Sequence, residues 1–373
     1  MDGKKDIVLN NKIIFFGGVD NWTGSPISTT SSIRTLKPNI HKCIIIKGGD
    51  SPGPMELICK ELSVPLYVLP KFKGPTLFKF FNLIFFSSLL SIYIIFISFK
   101  FKSIYIYISG LYGIILIVNG IFYNVKIIFH SHEILNLNNI LKRYFINLLF
   151  LFVDKFIVVS NYHKNSYSNF NSLKNKIFVL YNNVNTHIKI NPFYKIININ
   201  KTFRVAYVGG ASTKKGIHKV YEISNLLGKE YTLDLFISTA GECDKSLINK
   251  LIDKGIHVEF DVHDIPKRLI DYDFLIVPTL PSLCAETFGR ILVEAAGAGC
   301  WPIVTPSGAY PEIIGLLGVG TILSPSVFES NYGPEFIIQL HKLSSCRNSL
   351  NLNLNEFSYN SYSSNLLNLF TSN

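Results

Sequence analysis

Residues 286–305 read ETFGRILVEAAGAGCWPIVT, a loop followed by a helical segment and a buried strand. Glu286 stands in the loop, and Glu294 stands about two turns inside a helix that we expect to begin near Phe288. A carboxylate accepts two hydrogen bonds at once, which suits the paired hydroxyls of a ribose or a sugar ring. The amides of Phe288 and Gly289, at the predicted start of the helix, would face a phosphate.

A purely structural interpretation of the two glutamates also exists. Glu286 could be an acidic residue that the helix dipole favours, and Glu294 could be a solvated helix residue. Glu294, however, stands within the run ILVEAA at 291–296, where a solvated charge is less expected. The pattern therefore favours a ligand-binding interpretation.

The same order of strand and helix recurs along the whole chain. Apolar runs of strand length stand before helical stretches at 12–16, 43–49, 64–70, 104–109, 125–131 and 155–160, and again at 204–210, 233–238, 257–260, 274–278 and 301–305. This order is typical of parallel sheets covered on both faces. The polar, Asn-rich stretch 182–202 between the two sets is a predicted linker. The sequence therefore predicts an α/β chain with two Rossmann-like domains.

Composition narrows the class of protein and of partner. The 373 residues include 36 Lys and Arg against 25 acidic residues, a net charge of +11, and 48% are hydrophobic, which excludes a disordered chain. Only 6 residues are Arg, so an anionic small molecule or membrane surface outranks nucleic acid. The six cysteines form no CxxC pair, which favours buried thiols in a reducing compartment.

An uncharged run of twenty residues, Phe80–Phe99, is long enough for a transmembrane helix. Its serines at helical spacing favour instead an apolar surface helix that faces a membrane. The flanking lysines could meet anionic headgroups or merely keep the helix ends solvated; they are Lys71, Lys73, Lys79, Lys100 and Lys102. A second uncharged run, 104–125, divides into a strand and a helix.

The stretch 207–220, YVGGASTKKGIHKV, is a Gly-rich loop between a predicted strand and a predicted helix. Glycines such as Gly209 and Gly210 let backbone N–H groups approach an anion, and Lys214 or Lys215 adds a charge. Neither the GxGxxG nor the GxxxxGK[ST] spacing is present, so a plain turn is the alternative.

Two histidines, His130 and His132, end a predicted strand in FHSHEI, 129–134. Active groups in open α/β sheets collect at such strand ends. A metal pair is the alternative, because alternate strand residues share a face, but no third ligand cluster stands out. A structural histidine is the other alternative. Asp271-Tyr272-Asp273 formally matches a metal-binding DxD, yet its place before FLIVP favours a turn.

Together these residues resemble the retaining family-four (group 1) glycosyltransferases of the GT-B fold. The family's E-x7-E is embedded in E-x-F-G and E-A-x-A-x-G-x-P-V-V, and residues 286–304 match it closely. The family's G-R-x-x-x-x-K-G loop is similar to GGASTKKG at 209–216, N-G-V-D to NNVN at 182–185, and G-x-P-E, shifted by one, to GAYPE at 308–312. The closing stretch 357–370 is similar to the family's last helix.

The resemblance implies three parts: a membrane-facing acceptor domain at 1–188, a donor domain at 189–355 and a helix at 356–373 that crosses back to the first domain. Glu294 would hold the nucleotide ribose and Glu286 the donor-sugar hydroxyls, while Lys215 would neutralise the diphosphate. The resemblance implies further that a histidine, either His130 or His132, lies near the donor sugar. The other implied donor-site residues are Gly24, Gly209, Gly210, Lys214, Phe288 and Gly289.

The implied activity is transfer of a sugar from a nucleotide-diphosphate sugar to a lipid-linked glycan acceptor, with retention of configuration. The resemblance implies no metal and no other cofactor, and no nucleic acid partner. We expect a role in bacterial surface polysaccharide such as O-antigen or capsule, at the cytoplasmic side of the plasma membrane. One departure matters: Gly210 stands where the family usually has Arg. A weakly active or inactive scaffold, or a sugar-binding protein, is therefore the alternative.

Overall fold

The computed structural model describes residues 12–70, 76–101, 103–122, 124–135, 139–184, 202–239, 242–323, 332–345 and 352–371. The chain divides into two units, Met1–Asn183 with Tyr359–Asn373 and Val184–Ser358. The predicted boundary at 188/189, Asn185 and most of the predicted linker lie outside the described residues, so the boundary stays a prediction.

The first unit is built on a parallel sheet of seven strands in the order β3-β2-β1-β4-β5-β6-β7. The strands are β1 (Lys12–Asp20), β2 (Ile40–Lys47), β3 (Leu66–Leu69), β4 (Ile104–Ser109), β5 (Val125–His130), β6 (Lys155–Val158) and β7 (Ile177–Val179). The order reverses between β1 and β4, which is where open α/β sheets bind ligands.

Strand β4 shows why its sequence, IYIYIS, is apolar at nearly every position. Its isoleucines pack into the core on one face of the sheet, and Tyr105 and Tyr107 pack into the core on the other. Tyr107 stacks on Phe15, with ring centroids 4.8 Å apart. A strand covered on both faces has no solvent side to make polar, so the alternation is between two apolar residue types.

Helices cover both faces of this sheet. One face carries α1 (Gly24–Leu36), α2 (Pro54–Glu61) and the last described helix, Tyr359–Thr371, which buries Tyr362, Leu366 and Phe370. The other carries α3 (Thr76–Ser98), a 3-10 helix at Leu111–Ile121 and α4 (Ile140–Leu149), while α5 (Asn161–Asn165) follows β6. The prediction that the last helix crosses back to the first domain is confirmed.

Helix α3 contains the long uncharged run except for its last residue, Phe99. Among the described residues, none of the helices combines the length and the apolar character needed to cross a bilayer. The expectation that 104–125 divides is confirmed, and its helical part is the 3-10 helix. Lys71, Lys73 and Lys102 lie outside the described residues, as does the side chain of Lys79.

The second unit has a parallel sheet of six strands in the order β10-β9-β8-β11-β12-β13. The strands are β8 (Phe203–Gly210), β9 (Tyr231–Ser238), β10 (His257–Phe260), β11 (Phe274–Val277), β12 (Trp301–Val304) and β13 (Thr321–Ile322). Its helices are α6 (Ile217–Ser224), α7 (Lys245–Asp253), α8 (Ile265–Leu269), α9 (Arg290–Gly297), α10 (Tyr310–Leu317) and α11 (Tyr332–Ser345). The order reverses between β8 and β11, so the loops that follow these two strands open side by side.

The Asp271–Asp273 turn is structural, as the sequence favoured. Oδ2 of Asp273 accepts a hydrogen bond from the backbone N–H of Arg204 at 3.0 Å. The hydroxyl of Tyr272 donates to Asp234 at 2.6 Å, and the Arg204 guanidinium lies 4.3 Å from the Tyr272 ring centroid. These contacts join β11 to β8 and β9.

Gly216 allows the turn after β8 to pack against β11. Its φ is +79°, and a Cβ at this position would lie 2.0 Å from the carbonyl oxygen of Pro278. Gly210, at the end of the same strand, has no positive φ, and the nearest atom to a Cβ there is Cγ of Lys215 at 4.0 Å. The backbone therefore requires glycine at 216 but not at 210.

We predict that Gly216→Ala lowers the unfolding midpoint of the second unit by at least about 5 °C, because strain and the clash with Pro278 cost roughly 2 kcal/mol or more. Gly210→Ala is the matched control and should shift the midpoint by less than about 2 °C. Differential scanning calorimetry of the full chain measures both. Equal midpoints for the two variants would contradict the role of Gly216.

Candidate functional site

An ion pair joins the loops after β8 and β11. Nζ of Lys215, in the turn before α6, contacts Oε1 of Glu286, in the loop before α9. Burial alone lowers the pKa of Lys215, but the Glu286 carboxylate outweighs this and the pKa is raised. A cation and a carboxylate therefore meet where the strand order reverses, which is where open α/β sheets bind ligands.

Of the two lysines in this turn, only Lys215 lies at Glu286. The backbone carbonyl of Lys214 accepts a hydrogen bond from Leu280 N–H at 3.0 Å. Its ammonium lies 4.0 Å from Glu242, and both side chains are about half exposed or more. Lys214 thus ties the turn to the chain after β11 through its backbone, while its side chain remains at the surface.

A second loop holds Glu286 in place. The carbonyl of Glu286 accepts a hydrogen bond from Ala309 N–H at 2.7 Å, and the Ser307 hydroxyl donates to the carbonyl of Cys284 at 2.5 Å. Gly308 permits this approach, because its φ is +57° and a Cβ there would lie 2.1 Å from the backbone carbonyl oxygen of Glu286. The GAYPE segment therefore positions Glu286, a role that its sequence pattern alone did not reveal.

Two buried tyrosines, Tyr207 and Tyr310, lie close enough to Glu286 to feel its charge. The Tyr207 hydroxyl donates to the carbonyl of Gly210 at 2.7 Å, which fixes the end of β8, where Gly209 and Gly210 stand. The Tyr310 hydroxyl lies 3.4 Å from that of Thr279. Burial first, and then the charge of Glu286, raises the pKa of both tyrosines. They are therefore neutral at physiological pH. Sequence reasoning missed both, because nothing in the local pattern distinguishes them from core residues.

Helix α9 begins at Arg290, two residues later than predicted, and Gly289 is its N-cap. Gly289 has φ +87°, and a Cβ there would lie 2.6 Å from the Tyr310 ring, so the position requires glycine. The Phe288 side chain is buried and meets the Phe357 ring edge-on at 5.9 Å. Phosphate binding by the amides of Phe288 and Gly289 stays a prediction.

Glu294 is not a solvated helix residue. Its side chain is 11% exposed, and Nε of Arg290 donates to Oε1 at 2.6 Å. Burial raises the pKa of Glu294, and the Arg290 guanidinium acts against this shift. The charge of Glu294 is therefore balanced within its own helix, one turn away. Its second carboxylate oxygen is a further hydrogen-bond acceptor.

In the first unit, His130 and His132 lie at the end of β5 with ring centroids 4.2 Å apart. Nδ1 of His130 is 2.6 Å from the Tyr107 hydroxyl, and Nε2 of His132 is 3.2 Å from the Ser109 hydroxyl. Burial, and then the neighbouring histidines, lowers the pKa of His130 well below its usual value and that of His132 to about 3. Both rings are therefore neutral hydrogen-bonding groups at physiological pH.

The metal pair that the sequence left open at His130 and His132 would need a third ligand. Within the part of the chain that the structure describes, no three His, Cys, Asp or Glu side chains are grouped as ligands for a metal ion. The nearest further imidazole, His163, is occupied: Nε2 lies 3.2 Å from the carbonyl of Glu133. Independence from metal stays a prediction. Gly24 is the first residue of α1, and no atom lies within 4 Å of a Cβ built on it.

Comparison with known proteins agrees with this architecture. Residues 192–331 match the family described as Glycosyl transferases group 1. Among curated proteins, none matches the chain in sequence.

Three solved structures share the fold along almost the whole chain. HepE of Anabaena in complex with UDP-glucose has a TM-score of 0.71 and 15% identity, over 97% of this chain and 100% of that chain. Sucrose-phosphate synthase from Thermosynechococcus elongatus has a TM-score of 0.66 and 13% identity, over 97% and 98%. The lipopolysaccharide outer core galactosyltransferase WaaB, in its apo form, has a TM-score of 0.61 and 15% identity, over 96% and 99%.

At these identities the solved structures show a shared fold, and the family match covers much of the unit that carries Lys215, Glu286 and Glu294. The chain therefore has the GT-B fold, and its residues 192–331 are similar to the glycosyl transferases group 1 family.

Proposed function

We propose that this chain is a glycosyltransferase that moves a sugar from a nucleotide-diphosphate sugar to a glycan acceptor. The observation that carries the proposal is the Lys215–Glu286 ion pair at the strand-order reversal of the second unit. A diphosphate is the anion best placed to compete with Glu286 for the Lys215 ammonium. The carboxylate released by this exchange can then accept hydrogen bonds from sugar hydroxyls.

The chemistry follows from the same two residues. As the sugar–phosphate bond breaks, negative charge develops on the leaving diphosphate, and the Lys215 cation stabilises it. Glu286 would orient the transferred sugar, and Glu294 would bind the ribose hydroxyls with the oxygen that Arg290 does not use. Retention of configuration and independence from added metal are part of the proposal. The anomeric form of the product made in the presence of a chelator tests both.

HepE, which shares the fold, has been crystallised with UDP and with UDP-glucose, so uridine nucleotides are the first donors to test. We predict that one of UDP, GDP, ADP and dTDP binds in calorimetry. Lys215→Met should weaken that binding by at least about tenfold, since a charge-assisted hydrogen bond contributes about 1.5–3 kcal/mol. Glu294→Gln should also weaken it.

Lys214→Met is the matched control. It removes the same charge from the neighbouring residue, whose side chain lies beside Glu242 rather than Glu286. Its effect should be clearly smaller. Wild-type affinity in Lys215→Met, or a loss only in Lys214→Met, would contradict the donor site. If no nucleotide binds to folded wild-type protein, the inactive scaffold, which Gly210 in place of Arg favours, becomes the better account.

We further propose that the acceptor is lipid-linked and that the first unit contacts the cytoplasmic face of the plasma membrane. Helix α3 supports this, because exposed apolar residues recur along it every three or four positions and form a stripe. The stripe consists of Phe85, Leu89, Ile92, Phe96 and, directly after the helix, Phe99. Helix α4 presents a second exposed apolar face, made of Ile140, Leu141, Tyr144, Phe145 and Leu148. Exposed apolar faces of this extent mark interaction sites.

A pocket beside α3 is consistent with a lipid. Its volume is about 270 Å³, and it lies between α3 and strands β2 and β3. Ile44, Leu69, Phe86 and Leu90 are among its apolar lining residues, and Lys42 is the one charged residue among the described lining residues. A hydrocarbon chain with an anionic headgroup matches this combination. Bacterial surface polysaccharide, such as O-antigen or capsule, is the pathway class we propose for such an acceptor; WaaB, which shares the fold, acts on the lipopolysaccharide outer core.

We predict that the full chain co-sediments with vesicles containing phosphatidylglycerol and that the double variant Phe96→Ser, Phe99→Ser binds them at least tenfold more weakly. The reason is that transfer of each phenylalanine from water contributes about 1.5–3 kcal/mol. Phe260→Ser, which removes an exposed phenylalanine from the second unit, is the control and should bind as wild type does. Unchanged sedimentation of the double variant would contradict membrane contact through α3.

A further inference from the structure

Three lysines surround His41 at the edge of the first sheet where the strands begin. Lys12 is the first residue of β1, Lys42 lies near the start of β2, and Lys100 follows α3. Burial first, and then the charges of these three lysines, lowers the pKa of His41. In the part of the chain that the structure describes, none of the three forms an ion pair with a carboxylate. This lysine cluster is therefore a concentration of positive charge that a bound anion would relieve.

An irregularity of β2 turns two successive residues toward α3. The pairing with β1 passes from Ile40 directly to Lys42, so His41 is an extra residue in the strand. In a regular strand, successive side chains point to opposite faces of the sheet. Here Nε2 of His41 lies 3.2 Å from the Tyr93 hydroxyl on α3, and Lys42 lines the pocket beside α3. The irregularity therefore places both side chains on the face of the sheet that has the pocket.

The pocket opens onto the exposed apolar stripe of α3. Leu89 belongs both to the stripe and to the lining of the pocket, and it is nearly half exposed. Tyr67, another lining residue, is about half exposed, and the Lys42 ammonium lies 6.0 Å from its ring centroid. A molecule that reaches the stripe can therefore enter an apolar pocket that has a cation beside it.

We infer that this site binds one anionic phospholipid of the membrane, with its phosphate at the lysine cluster and an acyl chain in the pocket. Ammonium groups bind phosphate oxygens through charge-assisted hydrogen bonds. Burial of the chain against apolar side chains adds a favourable contribution that a free phosphate ion cannot make. The choice of a membrane as the source of the lipid rests on the proposed contact of α3 with the bilayer.

The position of the lysine cluster distinguishes this lipid from the acceptor of the proposed reaction. Lys12 pairs with Ile104 at the start of β4, and His130 pairs with Ser109 at the end of β4. The five residue steps along β4 span ~17 Å at ~3.3 Å per residue. A sugar attached directly to a phosphate at the lysine cluster would not reach across this distance. The bound phospholipid would therefore anchor the first unit rather than serve as a substrate.

Short-chain lipids test this site in solution, without a bilayer. The measurement is calorimetry of the full chain with dihexanoyl phosphatidylglycerol below its micelle concentration. We expect this lipid to bind, and we expect two comparison ligands to bind at least about tenfold more weakly. Glycerophosphoglycerol has the same headgroup without chains, and dihexanoyl phosphatidylcholine has the same chains without a net negative charge.

Lys42→Met removes the ammonium group beside the pocket and keeps an unbranched side chain. It should weaken binding of dihexanoyl phosphatidylglycerol by at least about tenfold, because a charge-assisted hydrogen bond to the phosphate is lost. Lys47→Met is the matched control, since Lys47 is the last residue of the same strand. Its affinity for the lipid should change by less than about twofold, because exposed charges at that separation are largely screened.

Equal affinity of the two variants for the lipid would overturn the inference. Equally tight binding of glycerophosphoglycerol and of the lipid would show a plain anion site. Equally tight binding of dihexanoyl phosphatidylcholine would show an apolar pocket in which the lysine cluster has no role. Either result would overturn the inference, and so would the absence of lipid binding by folded wild-type protein.

The lipid measurement and the proposed function can fail separately, because the lipid measurement involves neither the nucleotide nor the transferred sugar. If the short-chain lipid binds as expected but the protein transfers no sugar, the proposed function fails and the lipid site stands. If sugar is transferred but the lipid does not bind, the lipid site fails and the proposed function stands.

Discussion

The contact between Lys215 and Glu286 is the constraint around which the second unit is organised. The two residues follow β8 and β11, the strands at which the sheet order reverses, and 71 positions separate them in the chain. Gly216 lets the Lys215 turn pack on Pro278, and Gly308 lets its loop approach the Glu286 backbone. The two glycines let neighbouring backbone segments approach closely, and Lys215 and Glu286 supply the charges.

The candidate groups of the first unit are uncharged, in contrast to the ion pair of the second unit. Its candidate groups, His130 and His132, are buried and neutral, because burial disfavours the imidazolium form. Their rings contact the hydroxyls of Tyr107 and Ser109 rather than charged partners. A neutral imidazole can bind a sugar hydroxyl without attracting a diphosphate, whereas the proposed role of the Lys215 cation is to attract it. The proposed function therefore assigns recognition of the phosphate and of the sugar to different kinds of group.

Local pattern predicted much of this fold, and it singled out Lys215 and Glu286, which the structure brings into contact. Strand β4 follows its IYIYIS run, and the last helix packs on the first sheet, as the resemblance implied. The predicted start of α9 is two residues early. Gly289 adopts a left-handed conformation against the Tyr310 ring, so the helix begins only after it. The contact between the hydroxyls of Tyr362 and Ser32 could not be predicted, because the two residues are 330 positions apart and only the folded chain brings them together.

Glu286 is proposed to compete with the nucleotide for Lys215, and calorimetry of Glu286→Gln tests this most directly. The substitution removes the carboxylate charge but keeps the size of the side chain. We predict that the nucleoside diphosphate bound by wild-type protein binds this variant about two- to fivefold more tightly, as expected for loss of a partly exposed ion pair of up to about 1 kcal/mol, while sugar transfer is lost. Unchanged or weaker binding of the diphosphate would contradict the exchange of Lys215 from Glu286 to the donor.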